Sequence, residues 1–297
     1  MVKGLDNGYA YTKDNERRCF LSAFSYTDKM ISGSQKIIID GRDYYVGVGN
    51  MTADVDKINS EVNKACTLMN LAITGAKEYY LVAGLPIGHY KLQHEKFRET
   101  ILGYNKCRVE YLGEELKFTI KDVLVFPQGA AALFTMQRID NCIIIDIGGL
   151  TIDVAYITCA NGSPSIQKQN TWYNGMRKLY TDIMAQINLK YGLKLETSEA
   201  ERILQKGLII KGVEQDLRFL QLKILEFIDP VVEELKLYYP TETNPIYICG
   251  GGAIYLCGAF EKLIGNITLM KDSQFANAIG YYLVGLNKFG KYLRNVG

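Results

Sequence analysis

The chain has 297 residues, 48% of them hydrophobic and 22% charged, with a formal net charge of +2. That composition supports two ordinary cores or one large one and excludes a disordered chain, and the near-neutral charge gives no electrostatic footprint for direct nucleic-acid binding. Seven cysteines without a CxxC pair and only two histidines, His89 and His94, argue against a structural zinc site and for buried, reduced thiols in a cytoplasm.

The chain runs directly into a strand, Val2 to Asp6, with a turn at Asn7-Gly8. No basic-then-apolar leader precedes it, and no apolar run reaches the roughly 18 residues of a membrane span, so a cytoplasmic protein without membrane contact is expected. Polar residues from Lys13 to Arg18 lead to Phe20–Ser25 and then to a hairpin across Lys36–Val48, turned by Asp40-Gly41. Residues 57–74 space Ile58, Val62, Ala65, Leu68 and Leu71 as a helix does. A buried strand, Tyr79–Pro86, ends in Gly-Leu-Pro, and a polar helix runs to Leu102. Residues 107–125 read as three short strands, and Gln128–Gln137 as an alanine-rich helix opened by Pro127. His89 and His94 are expected at the surface.

From residue 141 the pattern starts again. The strand pair around Asp146 and Gly149 repeats the one around Asp6 and Gly8, a duplication of two βββα-type halves. Helices are expected at 174–191 and 197–206, a compact segment at Leu208–Asp216, and a long helix at 217–239 broken or kinked at Pro230. The strand 246–249 leads into Gly250-Gly251-Gly252 and a helix, and a last helix covers about 274–290.

The segment Ile143-Ile144-Ile145-Asp146-Ile147-Gly148-Gly149-Leu150-Thr151-Ile152-Asp153 carries the most chemistry. A hairpin turn needs neither a threonine nor a second aspartate at fixed spacing. Glycines let a backbone approach a phosphate, Asp146 can accept hydrogen bonds from water on a magnesium ion, and Thr151 can donate to a phosphate oxygen. Two such hairpins facing each other would clamp a nucleoside triphosphate.

These segments resemble the phosphate-1, phosphate-2 and adenosine motifs of the actin, heat-shock chaperone and sugar kinase superfamily. Within it, Gly84-Leu85-Pro86, Phe126-Pro127-Gln128-Gly129-Ala130 and Phe275-Ala276-Asn277-Ala278 are most similar to the bacterial actin-like plasmid-segregation proteins of the ParM (StbA) family. The resemblance implies an α/β, duplicated ribonuclease H-like two-domain fold with a nucleotide cleft between the domains. Residues 1–140 with 275–297 would form domain I, and 141–274 domain II.

By the same resemblance, Asp6 and Asp146 would hold Mg2+. Asn7, Gly8 and Tyr9 would offer backbone N–H groups to phosphates. Tyr9 stands where relatives have Ser or Thr, so no hydroxyl contact carries over. Lys13 would contact phosphate or is a solvated turn lysine. Gly148, Gly149, Leu150 and Thr151 would form the second phosphate loop. Gly175, Gly250, Gly251, Gly252 and Ala253 would let the chain pass the nucleotide closely. Gln128, where ParM-like proteins usually have Glu, would orient the attacking water, and Asp153 would help position it or is a strand-end carboxylate.

The implied function is an ATP- or GTP-hydrolysing protein that assembles head to tail into filaments. It would drive plasmid DNA segregation through a small DNA-binding adaptor of ParR type, without touching nucleic acid itself. The alternatives are a small-molecule (sugar or acid) kinase of the superfamily, which would need an aspartate base where Gln128 stands, and a chaperone-like ATPase, which would need a separate peptide-binding domain.

Overall fold

The structure is a computed structural model that describes residues 1–28, 34–49, 56–160 and 163–293. The chain divides into two compact units, Met1–Ile139 with Gln274–Gly297, and Asp140–Ser273.

The first unit opens with β1 (Val2–Asn7), β2 (Tyr11–Asp14), β3 (Cys19–Leu21) and β4 (Phe24–Ser25). β5 (Gln35–Ile39) and β6 (Arg42–Val46) form the expected hairpin. Asp40 and Gly41 both have positive φ, 54° and 81°, the turn whose twist suits paired strands. α1 (Glu61–Thr74) starts later than its apolar spacing suggests, because the Ser60 side chain caps it by accepting from the Asn63 amide; Gly75 at φ 69° ends it. β7 (Glu78–Leu85), α2 (Ile87–Gly103), β8 (Val109–Tyr111), β9 (Glu114–Glu115) and β10 (Thr119–Pro127) follow.

In the second unit, β11 (Cys142–Ile147) and β12 (Ile152–Ala160) form the hairpin around the glycine pair, and β13 (Ser163–Trp172) adds to it. Then come α3 (Met176–Tyr191), α4 (Ala200–Lys206), the small hairpin β14 (Ile209–Ile210) and β15 (Val213–Glu214), α5 (Leu220–Tyr238), β16 (Ile246–Cys249), α6 (Ala253–Ile264) and β17 (Ile267–Leu269). The chain returns to the first unit with α7 (Ala276–Leu293).

The duplication read from the sequence is visible in the sheets. Their strand orders are β3-β2-β1-β7-β10 and β13-β12-β11-β16-β17. In each, three strands run antiparallel and two more join parallel to the innermost. β1 and β11 are buried along their whole length, which explains the unbroken aliphatic run before Asp146. A second sheet of the first unit, β4-β6-β5-β8-β9, shares a core with α1 through Ile37, Ile39, Leu68 and Leu71.

Several expectations need correction. The short alanine-rich helix expected at Gln128–Gln137 is present only as a 3-10 helix over Ala130–Thr135. Pro127 ends β10 instead of opening a helix, and Gly129 at φ 74° and ψ −59° breaks any helical start. β13 supplies the third strand of the second βββα-type half, as a polar edge strand with Pro164 near its start. β17, three residues long, was not expected, being too short to show a period. Pro230 does not interrupt α5, whose buried face (Ile228, Val231, Val232, Leu235) outweighs one missing amide. His89 and His94 are half-buried, and His94 stacks on Tyr90 at 5.0 Å.

One buried charge pair was not foreseen. Lys3 lies in β1 with no exposed surface, and its Nζ meets Asp14 Oδ2 at 2.7 Å. Asn70 and Arg18 also donate to that carboxylate. Burial alone would push the Asp14 carboxyl up. The hydrogen bond and charge of Lys3, with the Arg18 amide and Asn70, outweigh it and hold the group below its ordinary 3.8. The folded carboxyl therefore binds a proton less readily than the unfolded one. Its contribution to stability is present in full above the unfolded value and is lost as pH falls through the lower folded one. Replacing Lys3 by Met should leave the buried Asp14 carboxylate with only the part-exposed Arg18 guanidinium as its cation and cost about 3 kcal/mol in urea unfolding. A loss under about 1 kcal/mol would show that the pair does not hold the sheet.

Candidate functional site

In the first unit the candidate residues gather at the carboxyl ends of the parallel strands. Asp6 and Lys13 are cross-strand partners in β1 and β2, and Lys13 Nζ lies 2.9 Å from Asp6 Oδ2. Lys13 is buried, so it is not a solvated turn lysine. β7 and β10 end in register, Leu85 beside Pro127, and this delivers Gln128 to the same place. The Gln128 amide donates to Leu85 O at 2.8 Å, and its Nε2 donates to Asp6 Oδ1 at 3.1 Å. Both carboxylate oxygens of Asp6 thus face a donor, one cationic and one neutral.

The turn after β1 is fixed from below. Asn7 Nδ2 donates to Asn63 Oδ1 and Thr67 Oγ1 of α1, each at 2.7 Å. Tyr9 is buried, with the Lys57 ammonium 5.1 Å from its ring centroid, and Lys57 donates to Gly84 O at 3.2 Å. A cavity of about 20 Å³, room for one water, lies under this turn among Asn7, Gly8, Tyr9, Lys57 and Asn63. Lys57 and Asn63 escaped the sequence reading because no glycine or periodic signal marks them.

In the second unit, β11 and β16 end side by side, with Asp146 in register with Cys249. Asp146 also stands directly opposite Asp153 on β12, and both are buried. Like charges in that position repel. The Thr171 and Thr151 hydroxyls donate to Asp153 at 2.5 and 3.0 Å and stabilise its carboxylate. Asp153, the second residue of β12, is thus a strand-end carboxylate, but a buried one held by two hydroxyls. The Thr151 hydroxyl proton points to Asp153 here, where the sequence suggested a phosphate donor.

The loop Gly148–Thr151 is closed by the Gly148 amide on Thr151 O at 2.9 Å. The first amides of α3 hold it from behind: Met176 N to Gly148 O at 3.0 Å and Arg177 N to Gly149 O at 2.9 Å. Gly175 is the hinge of that arrangement. A Cβ there would lie 2.6 Å from the Leu150 carbonyl carbon and 2.7 Å from Gly148 O. Gly250 has φ 89° and directs its amide to Ser273 O, while Gly252 donates to Ile147 O at 3.0 Å and leads into Ala253, the first residue of α6. Gly251 has open space where a side chain would stand. The structure thus forms two groups: Asp6, Asn7, Gly8, Tyr9, Lys13 and Gln128 in one unit, and Asp146, the 148–151 loop, Asp153, Gly175 and the 250–253 turn in the other.

Gly175→Ala should force the 148–151 loop and the start of α3 apart at a cost of about 1–3 kcal/mol. Thermal unfolding of the variant measures it, and an unchanged midpoint would mean that the loop yields freely.

Residues 4–130 match the family model of the N-terminal domain of actin-like proteins, and residues 144–262 match that of the C-terminal domain of the archaeal MreB-like actin homologue. No curated protein matches the chain. Among solved structures, an archaeal actin homolog, Ta0583, superposes with a TM-score of 0.81 at 22% identity, covering 97% of this chain and 99% of that one. The same homolog in complex with ADP gives 0.75 at 20% identity, with 95% and 98% covered. A ParM from Clostridium botulinum, solved as a 15-stranded filament, gives 0.77 at 22% identity, with 96% and 99% covered. With both halves matched by actin-like models and the sheets duplicated in the same order, the chain is an actin-like protein with the two-domain α/β fold shared by ParM and the archaeal actin homologues.

Proposed function

We infer that this protein binds ATP or GTP with Mg2+, assembles head to tail into filaments, and hydrolyses the nucleotide. The observation that carries the reading is the repeated arrangement of a buried aspartate before a glycine-containing turn, at the carboxyl ends of parallel strands in both units. The fold supports it, since one neighbour was solved as a filament and another with ADP. The division into one domain of residues 1–140 with 275–297 and another of 141–274 is part of the proposal.

Asp6 and Asp146 supply hard oxygen donors of the kind Mg2+ takes. When bound, that ion would neutralise charge on the phosphates. The backbone of Asn7, Gly8 and Tyr9 and of the 148–151 loop would grip the phosphates, and Lys13 would lend a positive charge beside Asp6. Gly250, Gly251, Gly252 and Ala253, with Gly175, would border the nucleoside. Gln128 cannot act as a base near pH 7, so its amide would orient the attacking water. Asp153 would fix the second loop through Thr151.

Plasmid segregation through a ParR-type DNA-binding adaptor is the cellular role this reading favours, in a cytoplasmic setting and without direct nucleic-acid contact. Among the described residues no helix is long and apolar enough to cross a membrane.

Light scattering and phosphate release, followed together on adding ATP or GTP with Mg2+, test the reading. Polymerisation followed by decay is expected; turnover that requires a sugar or an acid would assign the chain to the kinases instead. Asp146→Ala and Asp6→Ala should both abolish turnover and weaken Mg2+-nucleotide binding, and impairment of one alone would refute the two-sided clamp. Gln128→Ala should slow phosphate release about a hundredfold while filaments still form and persist. Normal release in that variant would remove Gln128 from the mechanism.

A further inference from the structure

We propose that Asn277, on the first turn of α7, is a positioning residue for Gln128. The inference rests on the nucleotide-hydrolysis reading above and concerns how the water-orienting amide is held.

Gln128 and Gly129 form a turn with an unusual backbone. Gly129 has φ 74° and ψ −59°, so neither strand nor helix supplies a partner for its amide. The Gly129 N–H instead donates to Asn277 Oδ1 at 2.8 Å, a buried bond between residues remote in sequence. Asn277 is 4% exposed. One helical turn further along α7, Tyr281 is fully buried with its hydroxyl against Gly84, and a Cβ at Gly84 would meet both that hydroxyl and, at 3.0 Å, Gln128 Cγ. Residues four apart lie on one helix face. α7 therefore fixes the turn at its backbone through Asn277 and borders the Gln128 stem through Tyr281. From the other side, the Gln128 amide is tied to Leu85 O. With both ends of the turn fixed, the carboxamide reaches Asp6 Oδ1 at 3.1 Å.

Removing the Asn277 acceptor frees the turn but leaves the Gln128 side chain and every proposed phosphate-binding residue in place. The consequence belongs to turnover and not to binding, because a water-orienting group must be held within a fraction of an ångström to act.

The test compares wild type, Asn277→Ala, Asn277→Asp, Gln128→Ala and the Asn277→Ala/Gln128→Ala double variant for phosphate release, nucleotide affinity and assembly. Asn277→Ala should lower kcat by about 10- to 100-fold with nucleotide affinity and assembly retained. In the Gln128→Ala background the same change should cost less than about twofold, because the group it positions is gone. Asn277→Asp keeps an acceptor of the same shape and should stay within about threefold of wild type. Amide exchange at Gly129 should speed up in the alanine variant and not in the aspartate variant.

Normal turnover in Asn277→Ala, a full additional loss in the double variant, or an aspartate variant as slow as the alanine one would overturn the role of Asn277 while leaving the nucleotide reading intact. Absence of hydrolysis in wild type would overturn both, whereas a Gln128→Ala variant as fast as wild type would overturn the role of Asn277 together with that of Gln128. Should Asn277→Ala fail to fold, the aspartate variant and its Gly129 exchange rate decide.

Discussion

The close approach of α7 to the sheet of the first unit is the constraint on which that unit's site depends. Backbone meets backbone there, and glycines make it possible. A Cβ on Gly4 of β1 would strike the Ala278 carbonyl and lie 2.6 Å from the Tyr282 amide. On the helix side, a Cβ on Gly280 would strike the Ala131 carbonyl, and one on Gly285 would lie 2.7 Å from Val2 Cγ1. Glycine inside a strand or helix costs roughly 0.5–1 kcal/mol relative to alanine. The fold accepts that cost at several positions because the helix must lie low enough for Asn277 to reach the Gly129 amide. Val2, Val82, Ala131, Tyr281 and Phe289 fill what remains of the contact.

The two units solve one electrostatic problem by different means. Each places a buried aspartate at the end of its innermost strand. Asp6 faces a cation, Lys13, and an amide, Gln128. Asp146 faces another carboxylate, whose charge is met by two threonine hydroxyls. Duplicated topology has thus been kept while the side chains that balance each carboxylate have diverged.

Much of this was legible in the chain. The aliphatic run before Asp146, the glycine pair after it and the triple glycine at 250–252 have no cheaper explanation than strands delivering a loop to a ligand, and the sheets bear out the repeat they imply. What was hidden has physical causes. Lys3 and Asp14 look like surface charges because a buried pair leaves no mark in hydropathy; only their place in otherwise buried strands betrays them. The stretch after Pro127 has helical composition, but a single glycine conformation, held by a side chain from the far end of the chain, overrides it. Asn277 stood in a segment already singled out for its resemblance, yet no local pattern announces a contact made to a residue 148 positions away.

The route of the chain has a consequence for its biogenesis. The second unit is continuous, and it interrupts the first between Ile139 and Gln274. On a ribosome, the inserted unit is complete before the helix that covers β1 and β7 has been made. Synthesis proceeds at roughly 5–20 residues per second, so the earliest strands wait for seconds with the glycine-lined surface of their sheet uncovered. Closing that contact joins residues of the highest sequence separation in the molecule, which makes it a slow, late event in folding. That order of synthesis predicts that the inserted unit gains its native shape first and leaves the nascent first unit the more exposed to aggregation.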